Sequence, residues 1–344
     1  MPWSSALVII AVEIILSLVC GKMLIPCFRK LKTGRYDIYL GSRFAKDGSE
    51  PKFGGVIIAL SLIVGTVLSS VLISWDLEIG SGKDSLKIIA VVIFSLMFML
   101  IGIADDWLKD VRKKALGLRL GTKLIIEFII CFCFLLWHNI ICGEHDTALL
   151  LPFRLGYLDF GLFYYPLIAL GMTAVINAIK LHDCFGGDTA NGVDGLCAVT
   201  AVIFSLMFAV YGNIADKVFL SALGYIFAAA VMGFLIWGLS PAKVYLGESG
   251  ALMLGGFMSA VIVASKLYLL IFMTGLGLLI DSICTLIQYA VYKKSKRLIF
   301  KGSSLHSHWK EKGFSDYKII LIFSCINVIG GIAGMIFVIY STKF

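Results

Sequence analysis

Ten long apolar segments constrain this chain more than any other feature of its sequence. Each holds about 20 mostly apolar residues, the length that a helix needs to cross a bilayer. Because a lipid-exposed backbone must satisfy its own hydrogen bonds, segments that are apolar on every face are predicted to be α-helices. The predicted spans are 5–26, 53–75, 87–104, 123–142, 162–180, 195–212, 218–239, 249–265, 267–292 and 318–341.

The composition excludes a water-soluble protein. Of the 344 residues, 59% are hydrophobic and 15% are charged, whereas a soluble domain carries about 25% charged residues. We therefore expect an all-α, polytopic membrane protein in which residues 1–344 form one integral membrane domain. The nine cysteines include no C-x-x-C pair, and we expect them to be free thiols.

The basic residues orient the predicted bundle. Lys and Arg are concentrated in the loops that follow the first, third and ninth spans, and they are sparse in the loops on the other side. The positive-inside rule then places the basic loops in the cytoplasm and both termini outside the plasma membrane. The formal net charge of +8 is thus explained by topology and by contact with lipid headgroups, and no nucleic-acid partner is predicted.

Four polar clusters lie at predicted span ends, all on the cytoplasmic side. Scattered polar residues would fall on both faces of the membrane, so this convergence predicts one site at the cytoplasmic mouth of the bundle. The clusters occupy residues 104–110, 183–195, 246–250 and 305–309.

The residue types in these clusters indicate chemistry on a phosphorylated substrate. Asp105 and Asp106 are adjacent acids that repel each other, and a divalent cation would relieve that repulsion. The lysines that follow them suit phosphate, and His306 and His308 suit a metal or phosphate. Alone, each pattern is also typical of a helix end, a cap or a solvated histidine. Their shared face favours a metal-dependent transferase whose substrate is partly lipid.

A cation-coupled transporter is the alternative class. It would place ionisable residues deep in several spans, together with broken helices at mid-membrane. Ionisable residues do occur inside three spans, and they are Glu13, Glu127 and Asp281. Most of the polar residues lie at the mouth of the bundle, which favours an enzyme.

The order of the motifs resembles the polyprenyl-phosphate N-acetylhexosamine-1-phosphate transferase superfamily. The resemblance is strongest to its MraY-like branch, the phospho-N-acetylmuramoyl-pentapeptide transferases, and it extends through nearly the whole chain. The segments that carry it are 24–26, 31–34, 51–55, 101–106, 113–118, 192–196, 241–247, 305–309 and 312–313.

The resemblance implies an activity, a cofactor and a set of site residues. The activity is transfer of a phospho-sugar from a UDP-sugar to undecaprenyl phosphate, within membrane lipid, with release of UMP and with Mg²⁺ as the cofactor. The implied catalytic residues are Asp105, Asp106, Asp194, His306 and His308. The implied metal ligand is Glu248, and the implied substrate-binding residues are Lys114, Lys123, Asn177, Asn191 and Tyr245.

Several positions depart from the family pattern. Glu248 stands where the family has Asp, and an insertion leaves Asp183 and Asn191 as alternatives for another family Asp. The histidine run is His-Ser-His, whereas the family has three histidines in a row. These departures keep open a sibling that uses UDP-N-acetylglucosamine and a paralogue that binds its substrates but catalyses weakly. A homodimer is also left open.

Overall fold

A computed structural model describes residues 3–30, 51–75, 82–110, 119–142, 147–150, 156–187, 192–268 and 270–342. Within these ranges, ten helices are long and apolar enough to cross a membrane, which confirms the prediction of an all-α protein with ten spans. They are α1 (Trp3–Lys30), α2 (Gly54–Trp75), α3 (Gly82–Asp110), α4 (Leu120–Cys142), α5 (Tyr164–Gly187), α6 (Leu196–Ile214), α7 (Val218–Gly238), α8 (Gly247–Ser265), α10 (Leu276–Ser295) and α12 (Asp316–Thr342).

The smaller elements lie between these helices. Two strands, β1 (Ala148–Leu150) and β2 (Tyr157–Asp159), form an antiparallel hairpin between α4 and α5. Two short helices, α9 (Leu270–Thr274) and α11 (Leu305–Glu311), flank α10.

The ninth predicted span is wrong as one continuous helix. Residues 267–292 contain a break at Gly275, which has φ −106° and ψ 23° and separates α9 from α10. Asn327 of α12 accepts a hydrogen bond of 2.8 Å from the N–H of Gly277. This bond satisfies a donor in the first turn of α10, where no carbonyl of the same helix is available. Both pieces are apolar, so hydropathy alone could not reveal the break.

Helix α5 is longer than predicted. The fifth span was expected to end at residue 180, but α5 continues to Gly187. The last two turns therefore hold Lys180, His182 and Asp183 in helical geometry rather than in a turn. Residues 180 and 182 lie about 200° apart around an α-helix, so they point to different neighbours.

Helix α8 forms the centre of the bundle. Of its 18 most apolar consecutive residues, 94% are buried, and it packs chiefly against α3 and α5. Phe257 of α8 stacks on Phe227 of α7, with ring centroids 3.5 Å apart. By contrast α1 and α4 are 28% buried over the same window length, and they expose side chains such as Leu7 and Ile125. Apolar exposure of this kind suits lipid as the solvent.

The cysteines are placed as predicted wherever the structure describes them. Seven of the nine have described side chains, and these seven are free thiols; two of them, Cys131 and Cys197, are buried. In these positions Cys acts as a small apolar side chain.

Candidate active site

Five charged side chains meet where α3 and α5 end and α4 and α8 begin. They are mostly buried: Asp105 is 2% exposed, Asp106 4%, Lys123 2% and Glu248 7%, and the side chain of Lys180 is 18% exposed. Burying charges is costly unless they are paired. These buried charges are concentrated at one end of the bundle, and such a concentration is typical of a functional site.

Two lysines share the carboxylate of Glu248. Nζ of Lys123 contacts Oε1 of Glu248 and lies 3.6 Å from Oδ2 of Asp105. Nζ of Lys180 lies 2.7 Å from the same oxygen of Glu248. Lys123 sits in the first turn of α4, where a cation opposes the helix dipole, so the two acids are needed to stabilise it there. Asp105 and Glu248, two of the predicted site residues, therefore share the ammonium group of Lys123.

Two glycines allow this close approach. A Cβ on Gly102 of α3 would lie 2.4 Å from Cα of Ser249 in α8. Gly247 has a φ of +73°, and a Cβ there would lie 1.9 Å from the carbonyl oxygen of Lys52. A side chain at either position would push the start of α8 away from Asp105, and positive φ favours glycine at Gly247.

The backbone of the segment before α2 fastens the start of α8. The N–H of Tyr245 donates to the carbonyl of Pro51 at 2.8 Å, and the N–H groups of Gly54 and Gly55 donate to Tyr245 and Leu246 at 3.0 and 3.2 Å. This pairing joins two sequence motifs that are almost 200 residues apart. The side chain of Tyr245, predicted to bind substrate, is half-buried beside them.

The two adjacent acids have different partners. Oδ2 of Asp106 accepts a hydrogen bond of 3.1 Å from the N–H of Ser249, near the N-terminus of α8, which has no side-chain cap of its own. An acid at a helix N-terminus is stabilised by the helix dipole. Asp106 therefore positions α8, while Asp105 lies against the Lys123 ammonium group.

A second polar contact joins α4 to α5. Glu127 lies one turn beyond Lys123, and its Oε2 accepts a hydrogen bond of 2.5 Å from Nδ2 of Asn177. Asn177 lies one turn before Lys180. The structure thus places Asn177, a predicted substrate-binding residue, next to the charged cluster and assigns it Glu127 as a partner.

Asp194 connects the turn before α6 to the segment between α7 and α8. Its Oδ2 accepts the N–H of Ala242 at 3.4 Å, and the residue is 8% exposed. The next residue, Gly195, has φ +85° and is the N-cap of α6. Asp194 thus ties the turn before α6 to the segment before α8.

His306 forms a second buried cluster with His182 and Asp281. Oδ2 of Asp281 accepts hydrogen bonds from Nδ1 of His182 at 2.7 Å and from Nδ1 of His306 at 2.8 Å. Oδ1 accepts the N–H groups of Leu305 and His306 at 3.0 and 3.1 Å. Four donors converge on one carboxylate, so Asp281 fixes α11 and α5 against α10.

Loss of Asp281 should destabilise this part of the bundle. Asp281→Ala leaves two buried imidazoles and two backbone donors without their acceptor, and an unsatisfied buried group costs about 1–3 kcal/mol. We expect the free energy of unfolding to fall by roughly 3 kcal/mol or more. Thermal unfolding in detergent measures this as a lower midpoint. Asp281→Asn should lose less, and Ser295→Ala, at the exposed end of the same helix, is the control. A midpoint for Asp281→Ala equal to the control would contradict the assigned role.

His308 lies outside both clusters. Its Nδ1 accepts the N–H of Lys301 at 3.1 Å, and its ring packs against Phe300. Desolvation lowers the pKa of His308, and the nearby charges of Lys312 and Lys301 lower it further. The imidazole is accordingly neutral at pH 7, which agrees with its role as an acceptor.

Other side chains near the site were not among the predicted site residues. Lys180 and His182 received no role, and Glu127 and Asp281 were noted only as ionisable residues inside spans. The signal that identifies them is an ionisable residue at or near membrane depth. Two predicted residues, Lys114 and Asn191, lie outside the described residues, and the alternative Asp183 is half-buried in α5.

The charged cluster suits a divalent cation better than the histidine cluster does. Asp105, Asp106, Glu248 and the two lysines carry one net negative charge, and Mg²⁺ is commonly held by one or two carboxylates together with water and substrate phosphates. Among described residues, the one group of three ligand-type side chains within 4.8 Å of one another is His182, Asp281 and His306. There the Asp281 oxygens already accept four hydrogen bonds.

Comparison with known proteins gives one consistent result. The family model for glycosyl transferase family 4 matches residues 88–266, which include Asp105, Lys123 and Glu248. A phospho-N-acetylmuramoyl-pentapeptide-transferase of Clostridium botulinum (strain Alaska E43 / Type E3) is 31% identical, over 93% of this chain and 92% of the relative. The protein of the same name from Desulfitobacterium hafniense is 29% identical, over 97% of this chain and 98% of the relative.

Proposed function

Because this chain belongs to glycosyl transferase family 4 and is a membrane-embedded phosphosugar transferase, we propose that it transfers phospho-N-acetylmuramoyl-pentapeptide from its UDP conjugate to undecaprenyl phosphate. The relatives that match it over nearly their whole length carry that activity in their names. The product would be a lipid intermediate of peptidoglycan synthesis.

The reaction exchanges one phosphorus–oxygen bond for another. An oxygen of the lipid phosphate attacks the sugar-bound phosphorus of the donor, and the bond from that phosphorus to the bridging oxygen breaks. UMP leaves with that oxygen, and the sugar becomes linked to the lipid through a diphosphate. Catalysis of such a step consists mainly of positioning and of stabilising negative charge.

The residues of the charged cluster suit these tasks. The carboxylate of Asp105 accepts the proton of the lipid phosphate, and the ammonium group of Lys123, 3.6 Å away, attracts phosphate oxygens to the same place. The N-terminus of α8, next to Glu248, offers positive dipole ends to an anion. Glu248 would hold Mg²⁺, which would supply charge neutralisation.

The observation that carries the proposal is the bridge that Lys123 makes between Asp105 and Glu248. It brings a candidate base, a phosphate-binding cation and a candidate metal ligand to one point. The test is transfer of labelled phospho-sugar to undecaprenyl phosphate in detergent, from UDP-N-acetylmuramoyl-pentapeptide and, separately, from UDP-N-acetylglucosamine. We expect transfer from the first donor that stops when EDTA removes the divalent cation. Binding of both substrates without transfer would instead identify a paralogue that does not catalyse.

We further propose that the site faces the cytoplasm and that both termini lie outside. The support is the positive charge of the loop after α10, which includes Lys296. The short loop between α6 and α7, which lies at the other end of the spans and includes Asp216, has no such excess of basic residues. In a variant without exposed native cysteines, Lys296→Cys should react with an impermeant maleimide only after the cells are opened. Asp216→Cys should react in intact cells. The reverse pattern of labelling would contradict the proposed orientation.

A further inference from the structure

One carboxylate oxygen in the charged cluster contacts two ammonium groups. Oε1 of Glu248 contacts Nζ of Lys123 and lies 2.7 Å from Nζ of Lys180. Lys123 also lies 3.6 Å from Asp105, so two acids share its charge. Lys180 is an additional cation, and it reaches Glu248 from α5.

These side chains neutralise one another. Asp105, Lys123, Glu248 and Lys180 alternate in sign along the chain of contacts. Charges that attract each other in a buried environment interact more strongly than in water. The carboxylate of Glu248 is therefore compensated by the protein itself, before a metal or a substrate is bound.

A divalent cation at Glu248 would lie next to Lys180. Mg²⁺ binds its oxygen ligands at about 2.1 Å, and Nζ of Lys180 is 2.7 Å from the oxygen concerned. The metal and the ammonium group would thus be within about 5 Å of each other, where like charges repel strongly. Either Lys180 moves away from Glu248 or the metal binds weakly.

The two lysines differ in their freedom to move. The Lys123 side chain is 2% exposed, whereas the Lys180 side chain is 18% exposed. Lys180 is therefore the lysine that can turn towards an incoming anion. The diphosphate of a nucleotide-linked donor is an anion of this kind, and in the proposed reaction it binds beside Glu248.

We propose that Lys180 competes with the divalent cation for Glu248, so that the substrate-free site binds metal weakly and gains it together with the donor diphosphate. The role of the diphosphate rests on the proposed function. The competition itself involves the protein and the metal, and it can be measured without any nucleotide.

The test uses Mn²⁺ alone as the probe, with the full chain in detergent and with binding followed by electron paramagnetic resonance. Removing the charge with Lys180→Gln should tighten Mn²⁺ binding by about ten-fold or more, within the usual range of coupling between sites. Lys180→Arg keeps the charge and should bind as the unmodified protein does. Lys318→Gln removes an exposed lysine of α12, whose ammonium group lies over the Phe314 ring, and is the matched control.

An unchanged or weaker Mn²⁺ affinity in Lys180→Gln would overturn the proposal. If that variant does not fold, Lys180→Met fills a similar volume without charge and gives the same comparison. The measurement is also separate from the proposed function. If Lys180→Gln binds Mn²⁺ more tightly but the unmodified protein transfers no phospho-sugar, the competition stands and the proposed function is rejected. If the unmodified protein is active but Lys180→Gln binds Mn²⁺ with unchanged affinity, the proposed function stands and the competition is rejected.

Discussion

Asp105→Asn should reduce phospho-sugar transfer by at least about a hundred-fold while leaving the protein folded, since general base catalysis contributes roughly 10²–10⁴-fold. The substitution keeps the size of the side chain and removes its ability to take a proton. Lys123 keeps Glu248 as a partner, so the cluster does not lose all its compensation. Turnover with saturating donor, together with the thermal midpoint, separates loss of chemistry from loss of structure.

The control for Asp105 lies on the same helix. Asp84 is in the first turn of α3, at the end of the helix away from the site, and Asp84→Asn should leave turnover unchanged. Asp106→Asn should have a smaller effect on turnover than Asp105→Asn, because an amide oxygen can still accept the Ser249 N–H. Near-normal transfer by Asp105→Asn would remove Asp105 from the mechanism.

Glu248→Gln should have the largest combined effect on activity and stability. It leaves Lys123 and Lys180 without the carboxylate that they share, and breaking a buried ion pair by removing one partner costs about 3–5 kcal/mol. We expect transfer to fall at least about a hundred-fold, as is typical when a group that organises charge at the reacting centre is lost. Glu248→Asp keeps the charge and should retain more of both properties.

A second substitution separates the effect of Glu248→Gln on stability from its effect on activity. Adding Lys180→Gln to Glu248→Gln removes one uncompensated ammonium group, so part of the lost stability should return, whereas transfer should stay low. Coupling of this kind is the non-additivity expected for residues in contact. Glu311→Gln, which removes the charge of an exposed glutamate on α11, is the control for Glu248→Gln. Additive losses in the double variant would show that Lys180 and Glu248 do not interact in solution.

The spans were predictable because hydropathy is local information. A run of about 20 apolar residues predicts a helix that crosses the membrane. Such a run does not reveal a break between two apolar helices, such as the one at Gly275. The extension of α5 was missed for a related reason. Its last turns are polar because they line the site, and polar residues after an apolar run also indicate a loop.

The sequence predicts which residues form the site better than it predicts which side chains contact each other. Asp105, Lys123 and Glu248 were recognised as candidates, and the structure brings them together. Lys123 contacts Glu248 across more than a hundred residues of sequence and Asp105 across the loop between α3 and α4, so nothing local indicates that Lys123 bridges two acids. His182 was missed because a histidine near a helix end is common on solvated surfaces, and only Asp281, almost a hundred residues away, shows what holds it.

The enclosure of α8 has a consequence for the response to lipid composition. A mismatch between bilayer thickness and helix length is taken up by tilting of helices that touch lipid and by deformation of the lipid itself. Helix α8 carries Glu248 and is 94% buried over its apolar window, and the close contact at Gly102 holds α3 against it. Growth conditions that lengthen or shorten the acyl chains should therefore change the tilt of α1 and α4 first, and the geometry around Glu248 last.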